Sequence, residues 1–174
     1  MTSLNAIRAA IRDVKDFPTP GVLFKDITPV LASPALYRAT IHLLADKIAG
    51  TGATHIAGIE ARGFILAAPV AYKLGLGFIP IRKQGKLPWK TKSAAYALEY
   101  GEATVEIHED AIASGQKVAL IDDVLATGGT AAAAVKLLCS CGAAPVVAAF
   151  LMELTALEGR NNLPGTRIET LLSF

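Results

Sequence analysis

The segment Val118-Ala119-Leu120-Ile121-Asp122-Asp123-Val124-Leu125-Ala126-Thr127-Gly128-Gly129-Thr130 decides how the rest of the chain is read. Its first four residues are a short apolar run, as in a strand buried on both faces. Two carboxylates follow, then a small glycine-rich turn, then the alanine-rich stretch Thr130–Cys141, which reads as a helix. A glycine turn that opens a helix gathers backbone N–H groups and the positive end of the helix dipole at one point, which suits phosphate oxygens. Thr127 and Thr130 add hydroxyl donors. No lysine follows the glycines, so this is not a Walker A loop, and the lack of GxGxxG disfavours a dinucleotide fold.

Asp122 and Asp123 narrow the ligand further. Carboxylates beside a phosphate repel it unless they face hydroxyls or a cation, and a sugar diol with Mg²⁺ meets both conditions. The residues alone therefore point to a phosphorylated ribose on Asp122–Thr130. The plainer alternative is an acidic helix-capping turn after a strand.

Outward from this loop, strands and helices alternate. His55–Ile59 reads as a buried strand and Phe64–Leu74 as a helix stopping at Gly75, with Pro69 marking a kink or a late start. Phe78–Ile81 is the next strand, and Gly85–Ser93 lacks periodicity and reads as a long loop. Ala95–Tyr100 and Thr104–His108 alternate around Gly101-Glu102 as a hairpin does. Pro145–Leu151 reads as a last buried strand and Thr166–Leu171 as an edge strand. Nearer the N-terminus, Leu4, Ile7, Ile11 and Val14 predict an amphipathic helix over Ser3–Val14, and Asp16–Gly21 an extended turn. Ser33-Pro34 opens a helix that carries Leu36, Leu43, Leu44 and Ile48 and stops near Gly50–Gly52.

Repeated strand–helix–strand units predict an α/β fold, a mainly parallel sheet flanked by helices, in one domain over residues 1–174. In such sheets ligands gather beyond the carboxyl ends of strands. Three of those ends carry polar or glycine-rich chemistry here: Glu60-Ala61-Arg62-Gly63, Arg82-Lys83-Gln84-Gly85, and Asp122–Thr130.

Composition agrees. The 174 residues are 52% hydrophobic and 18% charged, with a mean hydropathy of +0.44. That excess lies in aliphatic residues, as a sheet covered on both faces or an oligomer interface requires, and it excludes a disordered chain. A net charge of +2 is too weak a bias to argue for nucleic acid, although Arg82, Lys83, Lys86, Lys90 and Lys92 form a local basic cluster. Cys139 and Cys141 are poorly spaced for a disulfide on a helix, and the three histidines are scattered. The first residues, Met1–Arg12, lack a signal-peptide core, and the longest apolar run, Ala143–Met152, is too short to span a bilayer. A soluble, cytoplasmic protein is expected.

The loop Asp122–Thr130 resembles the 5-phosphoribosyl-1-pyrophosphate signature of type I phosphoribosyltransferases. Asp16-Phe17-Pro18-Thr19-Pro20-Gly21-Val22-Leu23-Phe24-Lys25-Asp26-Ile27-Thr28-Pro29 resembles the N-terminal segment of adenine phosphoribosyltransferases. So do Glu60-Ala61-Arg62-Gly63-Phe64, Ile81-Arg82-Lys83-Gln84-Gly85-Lys86-Leu87-Pro88 and Leu98-Glu99-Tyr100-Gly101, in the family's order over nearly the whole chain. Lys25 stands where some members have arginine.

The resemblance implies a type I phosphoribosyltransferase fold with a flexible loop and hairpin over the active site. It implies purine salvage, in which adenine and 5-phosphoribosyl 1-pyrophosphate give AMP and pyrophosphate. Asp122 and Asp123 would face the ribose hydroxyls, and Ala126, Thr127, Gly128, Gly129 and Thr130 would wrap the 5′-phosphate. Mg²⁺ would be held mainly by substrate oxygens, with Asp122 and Asp123 behind them. Arg62, Arg82 and Lys86 would contact pyrophosphate, Leu23, Phe24 and Lys25 the adenine, and Glu99 would manage the purine's imidazole proton. Tyr100 would pack beside the site, and the peptide near Glu60–Ala61 would be strained or cis. A homodimer is implied, without nucleic acid or membrane partners. The nearest alternative is a phosphoribosyltransferase for a 6-oxopurine; a purine-sensing regulator on the same fold is more distant.

Overall fold

The structure is a computed structural model that describes residues 3–97 and 102–174. They form two compact units, residues 1–43 and 44–174, less the undescribed positions.

In the first unit, α1 (Ser3–Ala10) is followed by an antiparallel pair, β1 (Arg12–Lys15) and β2 (Leu23–Asp26). The helix predicted to reach Val14 stops at Ala10 because the next residues pair in a ladder, with Val14 opposite Phe24. Ile11 stays buried across the change, so the apolar spacing continued after the helix had ended. The turn between the strands is tight: Phe17–Pro18 is cis, and the Gly21 N–H donates to Asp16 Oδ1 at 2.7 Å. A short helix that the sequence did not announce, α2 (Thr28–Ala32), follows Asp26, whose carboxylate accepts from the Thr28 N–H at 2.9 Å and its hydroxyl at 2.8 Å. The long helix α3 (Pro34–Ile48) begins at the expected Ser33-Pro34 pair, with Ser33 Oγ accepting from the Leu36 N–H.

The second unit is built on a seven-stranded sheet. Its strands are β3 (His55–Ile59), β4 (Gly77–Lys83), β5 (Thr91–Ala97), β6 (Glu102–His108), β7 (Lys117–Leu125), β8 (Ala144–Glu153) and β9 (Ile168–Ser173). They lie in the order β5-β6-β4-β3-β7-β8-β9. The run from β4 to β9 is parallel, and β6 and β5 close one side antiparallel. Helix α4 (Arg62–Leu74) connects β3 to β4, and α5 (Gly129–Ser140) connects β7 to β8. The α4 helix starts earlier than expected and runs through Pro69, ending at Gly75 in the left-handed conformation that glycine tolerates.

Ile56, Leu120, Ile121 and Phe150 have no exposed surface, and β3, β7 and β8 are buried over most of their length. Such side chains contribute roughly 1.5–3 kcal/mol each relative to exposure, so the centre of the sheet holds the unit together. Strand β5 begins at Thr91, which shortens the expected loop to residues 84–90. The hairpin forms with other bounds than expected: Glu102, expected in the turn, is in β6 and pairs with Ala97, while Glu99 and Tyr100 lie outside the described residues. The edge strand also forms, as β9.

Candidate active site

The sheet order creates the site. From β3 the chain crosses to β4 on one side, and from β7 it crosses to β8 on the other. Neighbouring strands whose crossovers diverge leave a crevice beyond their carboxyl ends. Pairing between β3 and β7 stops at Gly58 and Ile121, whereas β7 continues beside β8, Asp122 facing Phe150 and Leu125 facing Glu153. The segment 122–130 is therefore not all loop. Its first four residues extend β7, with one edge freed from β3, and only residues 126–128 turn before α5 begins.

A cleft of about 220 Å³ opens there, lined by Ile59, Glu60, Ala61, Arg62, Tyr96 and residues 122–131. Gly128 adopts φ 82° and caps α5, which sets the N-terminal amides of the helix at the cleft. The peptide Glu60–Ala61 is cis. Gly63, the second residue of α4, is required by closeness: a Cβ there would lie 2.8 Å from Asp122 Oδ1 and 3.0 Å from the Ile121 carbonyl.

Electrostatics of the cleft are dominated by the paired aspartates. Arg62 Nε lies 2.9 Å from Asp123 Oδ2, with Asp123 buried and Arg62 about 37% exposed. Asp122 keeps part of its surface open and accepts the Asp123 N–H at 2.9 Å. Burial, and then the neighbouring Asp123 charge, hold the Asp122 carboxyl well above the usual carboxylate range. Burial also raises Asp123, with the Arg62 guanidinium pulling the other way. Partial burial acts to raise Glu60, but hydrogen bonds from Arg82 and the Lys83 N–H outweigh it and leave its carboxyl below the ordinary value.

The structure brings together most, not all, of the residues singled out from sequence. Asp122, Asp123, Ala126, Thr127, Gly128, Gly129, Thr130 and Arg62 line one cleft. Arg82 and Lys86 do not line it: Arg82 binds Glu60 through Nε at 3.1 Å and Nη2 at 3.3 Å, and donates to the Lys86 carbonyl at 2.8 Å. Leu23, Phe24 and Lys25 belong to β2 in the first unit, where Phe24 meets Phe17 edge-on and Lys25 Nζ lies 2.7 Å from Asp13. Glu99 lies outside the described residues. The cleft is also lined by Ile59, Glu60, Ala61, Tyr96 and Ala131, which the sequence did not assign to the site. The alternation of β5 was the available signal for Tyr96.

Residues 26–163 match the family model described as phosphoribosyl transferase domain. Among relatives, the adenine phosphoribosyltransferase of Parafrankia sp. (strain EAN1pec) is 64% identical over 153 residues, covering 88% of this chain and 83% of that protein. The adenine phosphoribosyltransferase of Frankia casuarinae is 58% identical over 168 residues, covering 97% of this chain and 89% of the relative. The crystal structure of the enzyme of that name from Thermoanaerobacter pseudethanolicus superposes with a TM-score of 0.97 at 48% identity, over 98% of this chain and 99% of the other. That from Saccharomyces cerevisiae, complexed with an imino-altritol bisphosphate and adenine, gives 0.92 at 36%, over 98% of each chain. The chain belongs to the phosphoribosyl transferase family, among its adenine phosphoribosyltransferases. Its fold is the type I phosphoribosyltransferase fold.

Proposed function

We propose that the cleft takes 5-phosphoribosyl 1-pyrophosphate and that the chain passes its phosphoribosyl group to adenine, giving AMP and pyrophosphate. One observation carries the reading: at the crevice between β3 and β7, a glycine turn and helix N-terminus stand beside a carboxylate pair, with Arg62 against one of the two.

The 5′-phosphate takes the backbone N–H groups of residues 126–130, and the ribose hydroxyls face Asp122 and Asp123. Arg62 holds the pyrophosphate, and its paired N–H groups stabilise the leaving charge as the bond to the anomeric carbon breaks. Arg82, near the end of β4, and Lys86, in the loop after it, serve the same group. The base is assigned to Leu23, Phe24 and Lys25, where the backbone of the two-stranded ladder's β2 would offer adenine's N6 donor and N1 acceptor a C=O and an N–H. Glu99 takes the imidazole proton as N9 attacks. Closure of the loop 84–90 would exclude water, which suppresses hydrolysis.

The donor set fits Mg²⁺ held largely by the substrate. Among the described residues no cluster of three or more His, Cys, Asp or Glu could hold a metal, and in the cleft Asp122 and Asp123 outnumber Arg62, while Glu60 is engaged by Arg82. Two adjacent carboxylates beside a diphosphate call for a cation, and Asp122 and Asp123 would help to hold it. When bound, Mg²⁺ neutralises pyrophosphate charge.

The chain acts as a single phosphoribosyltransferase domain in a cytoplasmic homodimer, free of nucleic acid and membrane. Support for the dimer is the apolar stripe on α4, where Ile65 is 40% and Tyr72 90% exposed. No helix among the described residues is long and apolar enough to cross a membrane.

Arg62→Ala and Asp123→Asn test the site. Each is expected to lower kcat/KM for the donor at least about tenfold, the worth of one charge-assisted hydrogen bond, while circular dichroism stays that of the parent. Unchanged kinetics in both variants would contradict the assignment.

A further inference from the structure

The phosphate turn is held from behind by a segment that makes no part of the cleft lining. Asn162 Nδ2 donates to the Thr127 carbonyl at 2.7 Å. Gly159 packs directly on the turn: a Cβ on Gly159 would overlap the Ala126 carbonyl, and one on Gly128 would overlap the Gly159 carbonyl. Between them, Arg160 makes a two-pronged contact with Glu153, Nε to Oε1 at 2.8 Å and Nη2 to Oε2 at 2.7 Å. Glu153 is the last residue of β8 and pairs with Leu125, the last residue of β7, while the Leu154 N–H donates to the Leu125 carbonyl at 2.9 Å. The 3-10 turn Gly159–Asn162 is thus clamped to the same two strand ends from which the phosphate turn departs.

We propose that Gly159 and Asn162 are positioning residues for the 5′-phosphate: they set the peptide planes of residues 126–128 so that the N–H groups converge before the ligand arrives. The inference rests on the reading of residues 126–130 as the phosphate site. Asn162 fixes the Thr127–Gly128 peptide, because its carbonyl and N–H are locked in one plane. Gly159 sets how far back the turn can sit. Its own φ is not left-handed, so a methyl group there is refused by the turn it touches and not by its own backbone. Preorganised donors matter most where the ligand is small and charged, since a loosened turn must be ordered again on binding.

The test uses the full chain and ribose 5-phosphate as probe. By titration calorimetry the parent binds it, and Asn162→Ala weakens it about fivefold, the equivalent of one ordinary hydrogen bond. Gly159→Ala weakens it further. In steady-state assays the KM for the phosphoribosyl donor rises with it, while the KM for adenine and the melting temperature of Asn162→Ala stay those of the parent. An Asn162→Ala protein with parental affinity for ribose 5-phosphate overturns the proposal. So does one in which both KM values rise together with a lowered melting temperature, which would mark general damage. A parent protein that fails to bind ribose 5-phosphate overturns instead the reading of the site itself.

Discussion

At the scale of single residues, the site is governed by a carboxylate pair that resists ionising. Asp122 in the folded chain gives up its proton well above the ordinary value of 3.8, because burial and Asp123 both oppose its charge. In the interval above that value the folded state therefore binds more protons than the unfolded one. Stability from this group is complete below the unfolded pKa and is lost as pH rises through the folded one. In ligand-free protein, raising the pH above the unfolded value and on through the folded one is expected to lower the melting temperature more in the parent than in Asp122→Asn. Equal slopes in the two proteins, read by differential scanning calorimetry, would show that Asp122 is not held protonated. The Asp122-Asp123 pair itself was plain in the sequence. Its coupling was not, because the burial that raises both carboxyls and the approach of Arg62 to 2.9 Å are made by distant parts of the chain. Arg82 shows the same limit, since nothing local announces that Glu60, 22 residues away, will hold it.

Among the elements, β7 matters most, and it is longer than its apolar run. Val118–Ile121 was legible as a strand because four aliphatic residues need burial, yet the strand runs on to Leu125 through two carboxylates. Pairing with β8 overrides the polar side chains there, and a ladder partner cannot be read from local sequence. Helices α4 and α5 were recognised because glycine and capping signals are local, and α2 was missed because its five residues are too few for a periodic pattern. Contact between α4 and β7 runs through Gly63. Gly63→Ala must push its methyl against the Asp122 carboxyl and the Ile121 carbonyl. It is expected to destabilise the protein by about 1–3 kcal/mol and to impair donor binding, as chemical denaturation and donor KM would report. Full stability with normal KM would mean that the helix can retreat without disturbing the site.

For the whole molecule, alternation of strands and helices announced the parallel sheet, and the diverging crossovers at β3 and β7 locate the cleft. Sequence order could not supply the spatial order β5-β6-β4-β3-β7-β8-β9, which depends on the choices each crossover makes. The exposed stripe of α4 belongs to this scale as well. Tyr72→Glu places a charge in the middle of it and is expected to convert a homodimer into monomers in sedimentation equilibrium. A dimer that persists unchanged in the variant would move the interface elsewhere.

The central claim is transfer of phosphoribosyl to adenine, and a spectrophotometric assay of the purified chain with 5-phosphoribosyl 1-pyrophosphate, Mg²⁺ and adenine, hypoxanthine or guanine tests it most directly. AMP and pyrophosphate formed from adenine, with the two 6-oxopurines turned over far more slowly, is the result expected. Preferential conversion of hypoxanthine or guanine, or no nucleotide from any base, would contradict it.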